Sequence, residues 1–383
     1  MMDAVVRTIM PVAGVIVSHI LLRATVLLCI AGLVALVMKR ASAADRYAVW
    51  SVAFVALIAL PVLALMLPPW HLGQVARLST PTSTSSQSSE VTTVGVAPRG
   101  GSTTAAVVAA AERADRATRE VLGVGAVAVA LMVMWLGGAA LMLVRLLLHM
   151  ARVSAVTLRA PEGRFPDLVK LALPIMEHLG IRRPVRVAVS DQVSQPFSWG
   201  VDNPVVVFPE SVGEWPADRK RSVMWHEMAH VARLDYPLHI LVEVAKALYW
   251  PNPLVWLAAR RMAMERERAC DDMALRNGTS AGDYATHLLD IARSQIDGYA
   301  PVGATTMAGE PGLVERVRYV MNERLDRSPL GRDRMLLTAV LAVVLALPLA
   351  SLDVVAMNET IPPTVQCICL LYTSDAADDL LQV

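Results

Sequence analysis

Two stretches, Tyr47 to Leu67 and Val121 to Val144, contain no charged residue, and each exceeds the roughly 20 residues a helix needs to cross a hydrocarbon core about 30 Å thick. Backbone polar groups placed in hydrocarbon must pair within their own segment, so such runs commit the chain to helices there. A third run, Ile20 to Met38, can also cross, with Arg23 near one face and its guanidinium reaching the headgroups. Met335 to Leu352 is a shorter fourth. The first run is longer than a signal-peptide core, lacks a small-residue cleavage pattern and meets a second span almost at once, so it reads as retained. Composition agrees, since 55% hydrophobic and 18% charged residues lie outside the range of an ordinary soluble protein. A net charge of +1 and the lack of a basic cluster interleaved with aromatics argue against direct nucleic-acid binding. The four cysteines, Cys29, Cys270, Cys367 and Cys369, have no disulfide-framework spacing.

Lys and Arg next to the spans set the expected orientation. Lys39, Arg40 and Arg46 fill the first connection, and Arg145, Arg152, Arg324, Arg327, Arg332 and Arg334 flank the long third one, so both are expected on the cytoplasmic side. The Ser/Thr-rich stretch Ser79 to Thr104 reads as a flexible outward loop. Arg113, Arg116 and Arg119 run against this orientation, although Glu112, Asp115 and Glu120 accompany them. The large loop, about Met150 to Asp333, is the one segment long enough for a chemically competent domain. It opens with a helix near Pro166 to Leu179, followed by short β-branched runs at Val185 to Val189 and Val205 to Phe208. After Pro216 it reads as helices.

Within that loop, Trp225-His226-Glu227-Met228-Ala229-His230 holds an HExxH pattern in a segment free of Gly and Pro from Ala217 to Tyr236. Histidines four apart on a helix project about 40° from each other, so both imidazoles can bind one tetrahedral zinc. Glu227, displaced by about 100°, can reach a water on the metal without ligating and act as general base. By itself the pattern can also arise by coincidence. A catalytic zinc needs a third protein ligand and an open fourth position. Glu265-Arg266-Glu267-Arg268-Ala269-Cys270-Asp271-Asp272 offers candidates. Glu267 and Asp271 share a helix face, and Glu267 is assigned as ligand with Asp271 hydrogen-bonding a ligand histidine. Cys270 is a minor alternative ligand. A solvated face, with Glu265 and Glu267 paired to Arg261, Arg266 or Arg268, is the bland alternative.

Leu238 to Leu257 is apolar enough to resemble a fifth span. A straight helix of that length would be about 30 Å long and would part His230 from Glu267, so the chain must double back. Pro251-Asn252-Pro253 is the break, ending one helix at Trp250 and starting another from about Leu254 to Arg276. Glu243 and Lys246 make a lipid-exposed span expensive, and the face of Leu241, Val244, Leu248, Trp250 and Trp256 suits the bilayer interface. Val205, Val206, Val207 and Phe208, between Pro204 and Pro209, fit two readings: an edge strand that binds an extended substrate, as in zincin-like peptidases, or a plain core strand. Tyr284, His287 and several arginines are equal candidates for stabilising the oxyanion.

Several of these segments together resemble the BlaR/MecR-type membrane metallopeptidases. They are Gln195-Pro196-Phe197-Ser198-Trp199-Gly200, Pro204 to Pro209, His226 to His230 with Asp235-Tyr236, Trp250-Pro251-Asn252-Pro253-Leu254-Val255-Trp256, and Glu267-Arg268-Ala269-Cys270-Asp271. The resemblance implies zinc on His226, His230 and Glu267, Glu227 as base, and a cytoplasmic peptidase domain in a bacterial inner-membrane protein. It further implies a polypeptide substrate, the chain itself or a BlaI/MecI-like transcriptional repressor.

The expected fold is a mainly α membrane protein: four transmembrane helices with a cytoplasmic zincin-like α+β metallopeptidase domain inserted between helices three and four. Residues 1–70 carry two helices, 71–120 the outward loop, 121–149 the third helix, 150–334 the peptidase, 335–352 the fourth helix and 353–383 an outward tail. Family receptors carry an outer ligand-binding domain after the fourth span, for which this tail shows no domain-sized pattern. Its last stretch, Cys367 to Val383, is unlike its neighbours, and a truncated or read-through frame is expected there. Competing functions are a constitutive quality-control protease of the HtpX kind, and a receptor or scaffold with a structural metal, for which Glu227 would have no use.

Overall fold

The computed structural model describes residues 21–66, 70–71, 103–161, 163–297 and 312–353. Most of the Ser/Thr-rich loop and nearly all of the tail lie outside the described residues. Among those described, three helices are long and apolar enough to cross a bilayer: Leu21–Arg40 (α1), Ala43–Leu63 within α2 (Ala43–Met66), and Val129–Arg159 within α3 (Thr103–Arg159). The third expected span, Val121 to Val144, is therefore part of one 57-residue helix. The fourth expected span forms α10 (Arg332–Ser351), a 20-residue helix that is not one of the three. A separate small unit contains β1 (Trp70–His71) paired in parallel with β5 (Leu352–Asp353).

Between α3 and α10 the chain folds as α4 (Pro166–His178), β2 (Arg186–Ser190), β3 (Phe197–Trp199), β4 (Val205–Pro209) and a 3-10 turn (Glu210–Glu214). Five helices follow: α5 (Ala217–Arg233), α6 (Asp235–Leu248), α7 (Pro253–Arg276), α8 (Ala281–Asp297) and α9 (Leu313–Val320). The strand order is β2-β4-β3, with β2 parallel and β3 antiparallel to β4. Val205 to Phe208 thus form the middle strand, buried throughout. Both of its backbone edges are occupied, which overturns the substrate-edge reading in favour of the core strand. β3 forms one edge of this sheet instead. The core lies between the sheet and α5, where Val206, Phe208, Met224 and Met228 are all fully buried with Leu168 and Tyr284 close to it.

The break at Pro251 to Pro253 falls where the prolines require it. Asn252 caps α7, its side-chain oxygen accepting from the Leu254 amide (3.0 Å), and Pro253 takes the first helical position, where no N–H is needed. The resulting α6–α7 hairpin packs along the apolar helices rather than standing apart from them. Its tip meets all three: Asn252 Nδ2 donates to Thr25 Oγ1 (3.0 Å), Tyr249 to the Leu57 carbonyl (2.9 Å) and Trp250 Nε1 to the Trp135 carbonyl (3.1 Å). Leu57 lies about 21 Å along α2 from its start at Ala43. Two charges on α6, Lys246 and Glu243, pair at 2.7 Å, which offsets part of their desolvation.

Gly138 makes this packing achievable, since a Cβ there would meet the Trp250 ring at 2.6 Å, whereas one at Gly137 would meet nothing within 4 Å. Gly138→Ala is expected to lower the stability of the detergent-solubilised protein by about 1–3 kcal/mol through overpacking. Gly137→Ala serves as control, and equal unfolding temperatures for the two variants would show that the tight contact has no such weight.

Candidate metal centre

α5 carries the HExxH residues and α7 carries Glu267. Both helices bury the relevant faces: His226 is 7% exposed, Glu227 6%, Glu267 8% and Asp271 fully buried. His226 Nε2 lies 3.2 Å from His230 Nε2, and Glu267 Oε2 lies 3.5 Å from the first and 4.0 Å from the second. Metal–ligand bonds of about 2.0–2.1 Å in a tetrahedral zinc site put ligand atoms about 3.3 Å apart, so three donors converge at a fitting spacing. The chemistry of the donors fits as well. His226 Nδ1 faces Asp271 Oδ1 (3.1 Å) and His230 Nδ1 faces Asp235 Oδ2 (2.8 Å). A carboxylate at each Nδ1 favours a proton there, so that with a cation bound each Nε2 would be free to turn its lone pair toward it. Two imidazole nitrogens and a carboxylate oxygen held this close in a buried site could hold a metal ion.

The remaining oxygen atoms are tied down. Glu267 Oε1 accepts from Nε and Nη2 of Arg266 (3.0 and 2.9 Å), which leaves Oε2 as the oxygen that faces the two histidines. Arg316 of α9 donates through Nε and Nη2 to Asp271 (3.1 and 2.6 Å), and its Nη1 lies 3.7 Å from Glu267 Oε2. Tyr284 of α8 donates to Asp271 Oδ1 (2.8 Å) and lies 3.0 Å from His226 Nδ1. Burial alone would raise the Asp271 carboxyl, but Arg316 and the His226 hydrogen bond hold it down at about 2. Glu267 is likewise held well below the usual carboxylate range, burial being outweighed by Arg266, His226 and His230. Burial would depress His226, but its hydrogen bonds to Asp271 and Glu267 push it up to about 10, the response of an imidazole set among carboxylates.

A family model described as BlaR1 peptidase M56 matches residues 14–320. The chain belongs to that family. Relatives include the regulatory protein BlaR1 of Bacillus licheniformis, 26% identical over 142 residues, which are 37% of this chain and 24% of the relative. The methicillin resistance mecR1 proteins of Staphylococcus aureus and Staphylococcus epidermidis are each 24% identical over 143 residues, 36% of this chain and 24% of theirs. The chain thus spans about a quarter of the length of the curated relatives it matches. As an M56 protein it is a member of a metallopeptidase family, and its three apolar helices agree with a membrane protein.

The residues picked from the sequence come together: His226, His230 and Glu267 converge, Glu227 follows His226 on α5, and Asp271 backs His226. The solvated-face alternative does not hold, because Glu265 and Glu267 are buried while pairing with Arg268, Arg46 and Arg266. Cys270 lies 3.4 Å from His230 Nδ1, on the opposite side of the imidazole from Glu267. It groups with Asp235 there and cannot share an ion with the three donors. Tyr284 spends its hydroxyl on Asp271, so it supports a histidine rather than an oxyanion. His287 has Arg219, Asp283, Asp290 and Asp218 as charged neighbours, not the ligands.

The supporting roles of three residues at this site were not legible in the sequence. Asp235 was expected on a helix continuing to Tyr236, about 140° away from His230 round the axis. Instead α5 stops at Leu234, a non-glycine residue in the left-handed region (φ 59°), and the chain turns so that Asp235 faces His230. Arg316 lay in an unremarked short helix, where the signal available was a charged side chain on the buried stripe. Tyr47 lay inside an apolar run. Beside His230, a pocket is lined by Ser198, Trp199 and Gly200 of the β3 edge together with Arg183, Leu234 and Tyr236.

Proposed function

We propose that this protein is a membrane-bound zinc endopeptidase that cleaves itself or a cytoplasmic regulator in signal transduction. The carrying observation is the convergence of two Nε2 atoms and one carboxylate oxygen, each histidine backed by a carboxylate at Nδ1. When bound there, zinc supplies Lewis acidity that polarises a carbonyl and makes water nucleophilic near neutral pH. Glu227 would serve as general base toward the attacking water and as proton donor to the leaving amine. Asp271 and Asp235 hold the imidazoles in the ligating tautomer and orientation. β3 offers an extended peptide its backbone edge beside His230, next to the paired rings of Trp199 and Tyr236, 4.5 Å apart.

In this reading 150–334 is the cytoplasmic peptidase domain, 335–352 a fourth span, and the α6–α7 hairpin a re-entrant element that enters the bilayer among α1, α2 and α3. The family match to BlaR1 and mecR1 proteins supports a regulatory role over constitutive quality control, with a BlaI/MecI-like repressor as the substrate class.

Purified in detergent, the full chain is expected to hold about one zinc and to lose all cleavage of itself or of a candidate repressor in 1,10-phenanthroline. Restored zinc should restore cleavage. Activity that survives removal of the metal would sink the proposal.

A further inference from the structure

The first turn of α2 reaches the metal centre directly. Tyr47, 6% exposed, donates its phenol to Asp235 Oδ1 at 2.8 Å while Asp235 Oδ2 takes His230 Nδ1 at 2.8 Å. Both carboxylate oxygens are therefore engaged. The Arg233 guanidinium lies 4.4 Å above the Tyr47 ring, and its Nε is 3.7 Å from Asp235 Oδ1. The neighbouring residues of the same turn are tied as well. Arg46 pairs with Glu265 at 2.8 Å, two positions before Glu267 on α7. Asp45 accepts from Ser42 (2.9 Å) and from Arg334 of α10 (2.6 Å).

We propose that Tyr47 is a positioning residue for the ligand His230, which makes the apolar helix α2 a working part of the metal centre. The phenol sets the rotation of the Asp235 carboxylate, and that rotation sets the plane of the imidazole. Without the phenol, Oδ1 is free to swing toward Arg233 and the Nδ1 hydrogen bond loses its alignment. A displacement of α2 by about 1 Å would stretch the 2.8 Å bond past useful length. Arg334 is fastened to the same turn, so the position of α10 enters through Asp45. The inference rests on the zinc peptidase reading above.

The test uses the full chain in detergent, with zinc affinity measured by competition against a fluorescent chelator. Tyr47→Phe keeps the ring under Arg233 and is expected to weaken zinc binding about tenfold, at the lower end for a group supporting a metal ligand. Asp235→Asn is expected to weaken it at least as much, and adding Tyr47→Phe to it should cost nothing more. Ser51→Ala, one turn along the same helix, should bind as wild type does. Tyr47→Phe should lower the unfolding temperature less in the metal-free protein than in the zinc-bound one.

An unchanged zinc affinity for Tyr47→Phe overturns the proposal, as does full additivity with Asp235→Asn. Equal falls in unfolding temperature with and without zinc would also overturn it, by assigning Tyr47 to packing. If the wild type itself holds no zinc, the peptidase reading fails and this inference fails with it. Zinc held equally by wild type and Tyr47→Phe sinks the inference alone.

Discussion

Glu227→Ala is expected to reduce peptide-bond cleavage by at least about 10²–10⁴-fold, the usual weight of a positioned general base, while the zinc content stays near that of wild type. Glu227 is buried on α5 at 6% exposure and is not one of the three converging donors, so its removal leaves the Nε2, Nε2 and Oε2 atoms in place. What it removes is the acceptor for the proton of the attacking water and the donor to the leaving amine. His226→Ala should behave differently, because it deletes one of the three converging donors, while Asp271 keeps Tyr284 and Arg316 as partners. Metal analysis alongside a self-cleavage assay separates the two. A Glu227→Ala protein that still cleaves, or one that loses zinc as His226→Ala does, would refute the assigned role. Proteins cut by wild type but not by Glu227→Ala in the native host would name the substrate.

Arg316→Ala is expected to be the most destabilising single change at the site, by about 3–5 kcal/mol, the range for leaving a buried charge without its partner. Arg316 is 6% exposed and forks onto Asp271, which is fully buried, while also approaching Glu267. Arg316→Lys should fall between, since an ammonium cannot make both fork contacts. The pH dependence has a definite sign. Asp271 is held at about 2 in the folded protein, below the roughly 3.9 of a free aspartate. Its contribution is therefore complete above about pH 4 and is lost as pH falls toward 2. The stability gap between metal-free wild type and Arg316→Ala should narrow across that window. A gap that stays constant would mean that Arg316 acts through packing.

Much of this architecture is legible along the chain because its signals are local. Charge-free runs give helices, Pro251-Asn252-Pro253 stops one helix and starts the next, and the four-residue spacing of His226 and His230 puts both on one face. Even the return of Glu267 follows from length, since two ligands of one ion cannot lie about 30 Å apart. Other expectations failed for identifiable reasons. Val205 to Phe208 have prolines at both ends, as an edge strand would, yet β3 pairs with one side and β2 with the other. The register of a three-residue strand such as Phe197–Trp199 is set by its partner, which no local pattern reveals.

The convergence of His226, His230 and Glu267 is thus a property of residue order: spacing on α5 and a forced reversal after α6 bring them together. Their support is a property of the tertiary fold. Nothing local predicts that Leu234 will accept a left-handed backbone, which costs on the order of 1–2 kcal/mol, because what offsets it is the contact made by the next residue, Asp235, with His230 and Tyr47. Likewise Arg316 meets Asp271 across 45 positions and Tyr47 meets Asp235 across 188. Hydrogen bonds between such distant residues depend on how helices pack, and only the folded chain decides that.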